Sequence, residues 1–186
     1  MHRVFVTRLQ LDTGLHIIKG ANGVGKSVFL NTLIGFYGIA PKISRFDGSF
    51  AVTSYFNQDS YASSESAEWN LFLSREPIAQ NQEACQRATQ FLSKFGMSEV
   101  VPDLNIQLDP GRLSGGQLKK LGLIRTLLRP ADLVLLDEPT NDLDQASVHI
   151  LLECVQTLSR QVSVVVVTHD RALQALPHQD LHLFND

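Results

Sequence analysis

At 186 residues, with 44% hydrophobic and 19% charged residues, the chain has the size and composition of one globular domain with a sizeable core. A net charge of −3 makes no electrostatic case for nucleic acid. No apolar run approaches the ~20 residues that cross a bilayer, and the start Met1-His2-Arg3-Val4-Phe5-Val6 does not read as a secretory signal. Cys85 and Cys154 are too few for a disulfide framework and lack metal-ligand spacing, so a reducing cytoplasm is the expected setting.

In chain order, Gly14–Lys19 reads as a short strand entering Gly20-Ala21-Asn22-Gly23-Val24-Gly25-Lys26-Ser27, which fits G-x-x-x-x-G-K-[ST]. Phosphate oxygens need many converging donors, and a loop of small residues turns successive backbone N–H groups inward to supply them. Lys26 adds a point charge toward the β- and γ-phosphates, and the Ser27 hydroxyl is placed for Mg²⁺. Apolar residues at 29, 30, 33 and 34 predict a helix over Lys26–Ile34, so the loop ends at a helix N-terminus that favours an anion. Gly35–Gly48 reads as a connection, and Ser49–Asn57 as strands leading to Gln58.

From Ser60 to Arg112 the texture turns helical and polar, with helices expected near Glu65–Ser74 and Asn81–Phe95 before Gly96, Pro102 and Pro110 interrupt the chain. Trp69 and Phe72 read as packing residues or as the lining of a docking groove. Leu113-Ser114-Gly115-Gly116-Gln117 then opens a helix marked by apolar residues at 118, 121, 124, 127 and 128, with Ser114 as its N-cap.

Leu133–Leu136 is an apolar run suited to a strand buried on both faces of a parallel sheet, and it ends in Asp137 and Glu138. Two carboxylates there fit the rim of an α/β sheet, where ligands bind. Asp137 would hold Mg²⁺, directly or through water, and Glu138 could polarise an attacking water. A helix is expected over Gln145–Ser159. A β-branched strand over Gln161–Thr168 ends at His169. His2, His16, His149, His178 and His182 read as structural, whereas His169 sits where a sheet's ligand edge should be and is placed to contact a γ-phosphate oxygen. A short helix before Pro177 and a strand near Leu181–Phe184 close the chain.

The ordered set GANGVGKS, Gln58, LSGGQ, LVLLDEP, Leu143-Asp144 and His169 resembles the nucleotide-binding cassette of ATP-binding cassette (ABC) proteins over nearly the whole chain. The resemblance implies an α/β fold: a P-loop NTPase core with a mainly parallel sheet, a small N-terminal antiparallel β part and an inserted helical lobe. It implies a single ABC ATPase domain, with 1–59 and 113–186 as the α/β core and 60–112 as the helical subdomain. It places Gly20, Ala21, Asn22, Gly23, Val24, Gly25, Lys26, Ser27 and Val28 on ATP. Ser27, Gln58 and Asp137 become Mg²⁺ ligands, Glu138 the catalytic base, His169 the switch histidine, and Gln58 the residue that senses a partner. Asp144 couples two active sites. Ser114, Gly115, Gly116 and Gln117 bind the γ-phosphate held by an opposite protomer.

The chain thus offers two helix N-termini to anions, one after Lys26 and one after Ser114. Two cassettes packed head to tail would sandwich two ATP in a closed two-fold arrangement. A bridging charge at about 4 Å contributes ~4 kcal/mol at an effective dielectric near 20, and much of it is lost on hydrolysis. The expected function is the ATPase subunit of an ABC transporter. Its partners would be a second cassette, identical or a paralogue, and an integral membrane subunit, on the cytoplasmic face of the membrane. The alternative is a soluble, non-transport ABC protein of the translation-factor branch, which Glu138-Pro139-Thr140-Asn141-Asp142-Leu143-Asp144 resembles. A cassette that binds without hydrolysing is disfavoured by the presence of Glu138 and His169.

Two family features lack counterparts. The aromatic residue that stacks on adenine is not expected among the nineteen residues before Gly20, so no base contact is assigned. The loop before the signature reads Leu108-Asp109-Pro110-Gly111-Arg112 instead of the exporter-type Thr-Glu-Val-Gly-Glu, and no regulatory C-terminal domain is expected.

Overall fold

The computed structural model describes residues 9–19, 23, 25–34, 43–44, 50–74 and 81–182, with the side chains of 9, 10, 43, 44 and 182 left aside. Gly20, Ala21, Asn22 and Val24 of the phosphate loop, most of the 35–48 connection, and residues 183–184 of the expected last strand lie outside the described residues. Contacts divide the chain into two compact units. One takes 1–57, 131–139 and 152–186; the other takes 58–130 and 140–151.

The first unit is organised by a five-stranded sheet in the order β4-β5-β6-β2-β7. Its strands are β2 (Gly14–Lys19), β4 (Thr53–Phe56), β5 (Leu133–Asp137), β6 (Ser163–Val167) and β7 (Gln179–His182), and every pairing is parallel. β5 and β6 lie in the middle and are buried at every residue, which is why they read as unbroken apolar runs. Helix α1 (Lys26–Leu33) packs Phe29, Leu30 and Leu33 into a cluster with Ile18, Leu133, Leu135, Val165 and Val167. These strand residues alternate along their strands, so they mark one face of the sheet.

Parallel pairing brings the C-terminal ends of β2, β5 and β6 to one edge, in the register Ile18↔Val167 and Asp137↔Val167. That edge is the place where α/β sheets bind ligands. A separate two-stranded pair joins β1 (Leu9–Gln10) to β3 (Ile43–Ser44) and runs parallel. The small N-terminal part is expected to be antiparallel. The described pair is parallel instead, and β2 and α1 between its strands supply the long crossover that a parallel pair needs. The rest of that part lies outside the described residues.

The second unit is helical. α2 (Ala67–Phe72) and α3 (Gln82–Lys94) both pack on α4 (Gly115–Leu128). α2 is shorter than its apolar pattern suggests. Ser66 caps it by accepting the Trp69 N–H at 3.1 Å, and Leu73 ends it in the left-handed region at φ 51°. Asn70 is fully buried and satisfied, accepting from Ser63 N at 2.8 Å and donating to Ser63 O, Glu65 O and Ser66 O. Arg125 of α4 donates to Asn70 O at 2.6 Å and Tyr61 O at 2.9 Å, with its guanidinium over the Tyr61 ring. Trp69 and Phe72 are half-buried. The sequence reading resumes the core at Leu113, but α4 sides with the helices it packs on, and so does the 140–151 segment. α5 (Gln145–Leu158) spans the division, and α6 (Arg171–Gln174) belongs to the first unit.

Candidate functional site

In the first unit, five candidate side chains converge at the sheet edge. Gly25 precedes α1 in a left-handed conformation, φ 99°, and Gly23 has φ 78°; any residue with a Cβ is strained there. Gly25 carries no side chain to accept the first helical N–H groups, which suits an anion. Lys26 opens α1 buried, with its ammonium 3.3 Å from His169 Nε2. Val28 is exposed one residue further on from Ser27.

Asp137 ends β5 almost wholly buried, at 3% exposure. Burial pushes its carboxyl above the usual carboxylate range, against a hydrogen bond from Ser27 and the positive charge of Lys26. Its Oδ1 has no hydrogen-bond partner among the described residues. A buried carboxylate oxygen without a donor, beside a serine hydroxyl, is the oxygen-rich pair a hard divalent cation takes. The donor set therefore fits Mg²⁺.

Glu138 follows with φ 45°, a conformation costly for a residue with a Cβ. Its N–H still donates to Val167 O at 2.8 Å, so the strand pairing continues while the side chain turns out of it. That turn brings Oε2 to accept the His169 N–H at 3.3 Å and sets Oε1 3.5 Å from His169 Nε2. Glu138 is buried, whereas the His169 side chain is about half exposed.

The second unit carries the remaining candidates. Ser114 Oγ accepts the Gln117 N–H at 3.2 Å, and Gln117 Oε1 accepts the Ser114 N–H at 2.8 Å. This reciprocal cap fixes the start of α4 and engages the glutamine side chain. A Cβ on Gly116 would come 3.2 Å from Asp142 O, a tight contact that glycine avoids. Asp144 accepts the Ser147 N–H at 2.8 Å at the start of α5 and pairs with Lys120. The Lys120 hydrogen bond, then the Ser147 amide, hold its carboxyl down at about 2. Gln58 is exposed, two residues beyond β4.

The structure therefore gathers Gly25, Lys26, Ser27, Asp137, Glu138 and His169 in one unit, and Gln58, Ser114–Gln117 and Asp144 in the other. Among the described residues no group of three or more His, Cys, Asp or Glu forms a metal cluster. Two features escape the sequence: the left-handed turns at Glu138 and Asp142, and the role of Lys119, which pattern reading leaves as one more polar residue of α4. The only available signal for Lys119 is its place three residues beyond Gly116, on the same helical face.

The ABC transporter family model matches residues 8–141. The chain belongs to this family. The matched stretch includes the phosphate loop, the signature and the Asp137–Glu138 strand end of the cassette. An uncharacterized ABC transporter ATP-binding protein of Haemophilus influenzae is 29% identical over 86% of the chain and 30% of its own length. The glutathione/L-cysteine transport system ATP-binding/permease protein CydC of Escherichia coli K12 is 32% identical over 87% of the chain and 30% of its own length. The chain thus spans about a third of each of these longer relatives. The ABC transporter ATP-binding protein YtrE of Bacillus subtilis is 27% identical over 89% of the chain and 78% of its own length. Among solved structures, the complex of archaeal ribosomal stalk protein aP1 and ribosome recycling factor aABCE1 matches with a TM-score of 0.68. At 22% identity over 96% of the chain and 34% of that chain, this is a likeness of fold. Among the described residues, no helix is long and apolar enough to cross a membrane.

Proposed function

We propose that this cassette binds and hydrolyses ATP as the motor of an ABC transporter. It would pair head to tail with a second cassette and dock on an integral membrane subunit at its cytoplasmic face. The observation that carries the reading is the sheet edge itself: a buried oxygen on Asp137, unmatched among the described residues, beside Ser27, with His169 in contact with both Lys26 and Glu138. The family membership and the ATP-binding relatives support it.

In this reading, residues 20–28 hold the triphosphate through backbone N–H groups and the Lys26 charge. Ser27 and Asp137 would hold Mg²⁺, which would neutralise phosphate charge. Contact with a phosphate oxygen draws Lys26 from His169 and leaves Nε2 free for a second partner. Glu138 takes the proton of a water whose oxygen attacks the γ-phosphorus; the bond to the β–γ bridging oxygen breaks, and ADP and phosphate leave. The strained turn at Glu138 keeps the carboxylate at that place before substrate arrives. Ser114, Gly115 and Gly116 present the start of α4 to the γ-phosphate held by the second cassette, with Gln117 keeping the cap closed and Asp144 linking the paired sites.

The test is Mg²⁺-dependent phosphate release from ATP by the purified chain and its Asp137→Asn variant. Expected are turnover that requires Mg²⁺ in the parent and loss of that turnover in the variant. Magnesium-independent turnover, or equal turnover by both proteins, would contradict the reading.

A further inference from the structure

The signature helix carries a lysine with no part in the machinery above. Lys119 lies one turn into α4, on the face it shares with Gly115 and Gly116. Its side chain is only 10% exposed, an unusual setting for an ammonium. Its Nζ donates to Asn141 O at 3.0 Å and to Asp142 Oδ2 at 2.9 Å. These acceptors flank the N–Cα bond of Asp142, whose φ is 57°. A left-handed aspartate carries strain and persists only when its surroundings hold it. One ammonium gripping both sides of that torsion does so. The carbonyl of Asp142 closes the arrangement by lying against Gly116, where a Cβ would come 3.2 Å from it. On the next residue, Lys120 pairs with Asp144, and Asp144 caps α5. The start of α4 is thus bound to the 140–144 loop at three successive points.

We infer that Lys119 is a positioning residue: it locks the 140–144 loop, through the left-handed turn at Asp142, to the first turns of the signature helix, so that both present themselves to a second cassette as one rigid piece. This rests on the proposed pairing for its consequence, though not for its geometry. The contacts of Lys119 are with the 140–144 loop and not with the residues proposed to hold nucleotide. Its removal should leave nucleotide affinity of the single chain unchanged while the trans contribution fails.

The experiment uses Lys119→Met, which keeps the stem's volume and leaves Asp142 solvated, since that side chain is 76% exposed. Amide hydrogen exchange at 140–144, ATP turnover and the Kd for a fluorescent ATP analogue are measured on the full chain. Exchange at 140–144 should rise, and turnover fall, by about tenfold or more, the effect of losing both charge-assisted hydrogen bonds of Lys119. The Kd should stay within about twofold, as for independent sites. Asp142→Ala added to Lys119→Met should cost little more. If Lys119→Met does not fold, Asp142→Asn weakens the same contact from its exposed side, with the same expectations. Unchanged exchange at 140–144, or a Kd that rises as far as turnover falls, would overturn the lock. A parent chain without turnover would instead defeat the proposed function, and the exchange measurement would still decide whether the lock exists.

Discussion

The phosphate-loop end of the cassette and its signature end use the same device, a helix N-terminus, at opposite degrees of completion. At the first, among the described residues, α1 begins at a glycine with no side-chain cap, Asp137 keeps a buried oxygen unmatched, and Glu138 sits in a strained turn. At the second, Ser114 and Gln117 satisfy each other's N–H groups, Lys119 meets two oxygens, and Asp144 is paired and capping. Unmatched buried groups cost stability until a ligand matches them. A matched network costs little and stays put. The difference teaches where chemistry is to occur and where a preformed surface is enough.

The strongest way to break this comparison is Glu138→Gln. If the strained carboxylate is the base, turnover falls by about 10³-fold, within the range of general-base catalysis, while the Kd for ATP holds. Comparable turnover in the variant would reduce Glu138 to an ordinary strand end. Stability sharpens the contrast next. Ser114→Ala removes a used cap and should destabilise the nucleotide-free chain by about 1 kcal/mol. Asp137→Asn removes a buried carboxylate whose burial outweighs the help of Ser27 and Lys26, and should stabilise the same protein by about 1 kcal/mol. Urea midpoints check both, and two shifts of the same sign would erase the distinction. The smallest effect concerns Asp144. Its carboxyl is held down at about 2, so its pairing is present above the ordinary carboxylate range and is lost as pH falls through that value. Lys120→Met should raise the titration midpoint toward the ordinary value in carboxyl NMR, and a midpoint that stays put would remove Lys120 as the cause.

Much of this was legible because burial writes itself into composition. The runs at 133–136 and 162–167 are apolar since β5 and β6 have no solvent face, and Gly25-Lys26-Ser27 could be placed because strand and helix patterns flank it. β7 was less legible. It pairs from Gln179, two residues before its apolar stretch, because an edge strand takes its register from the backbone of β2. The unit boundary escaped for a similar reason. α4 reads as the helix that reopens the core, yet its packing partners α2 and α3 are set by tertiary contact. The turns at Glu138 and Asp142 left no trace in pattern or propensity, since both residue types are ordinary in strand ends and loops. Lys119 matters through Asp142, and a contact twenty-three positions away has no local signature.

The central claim is that one chain holds two half-sites which ATP joins across two copies. The direct measurement is the solution mass of the Glu138→Gln chain by light scattering, without nucleotide and at saturating Mg-ATP. The account predicts a shift from 20.6 kDa to roughly twice that value on adding ATP, reversed by removing it. A variant that binds ATP and remains at 20.6 kDa would contradict it.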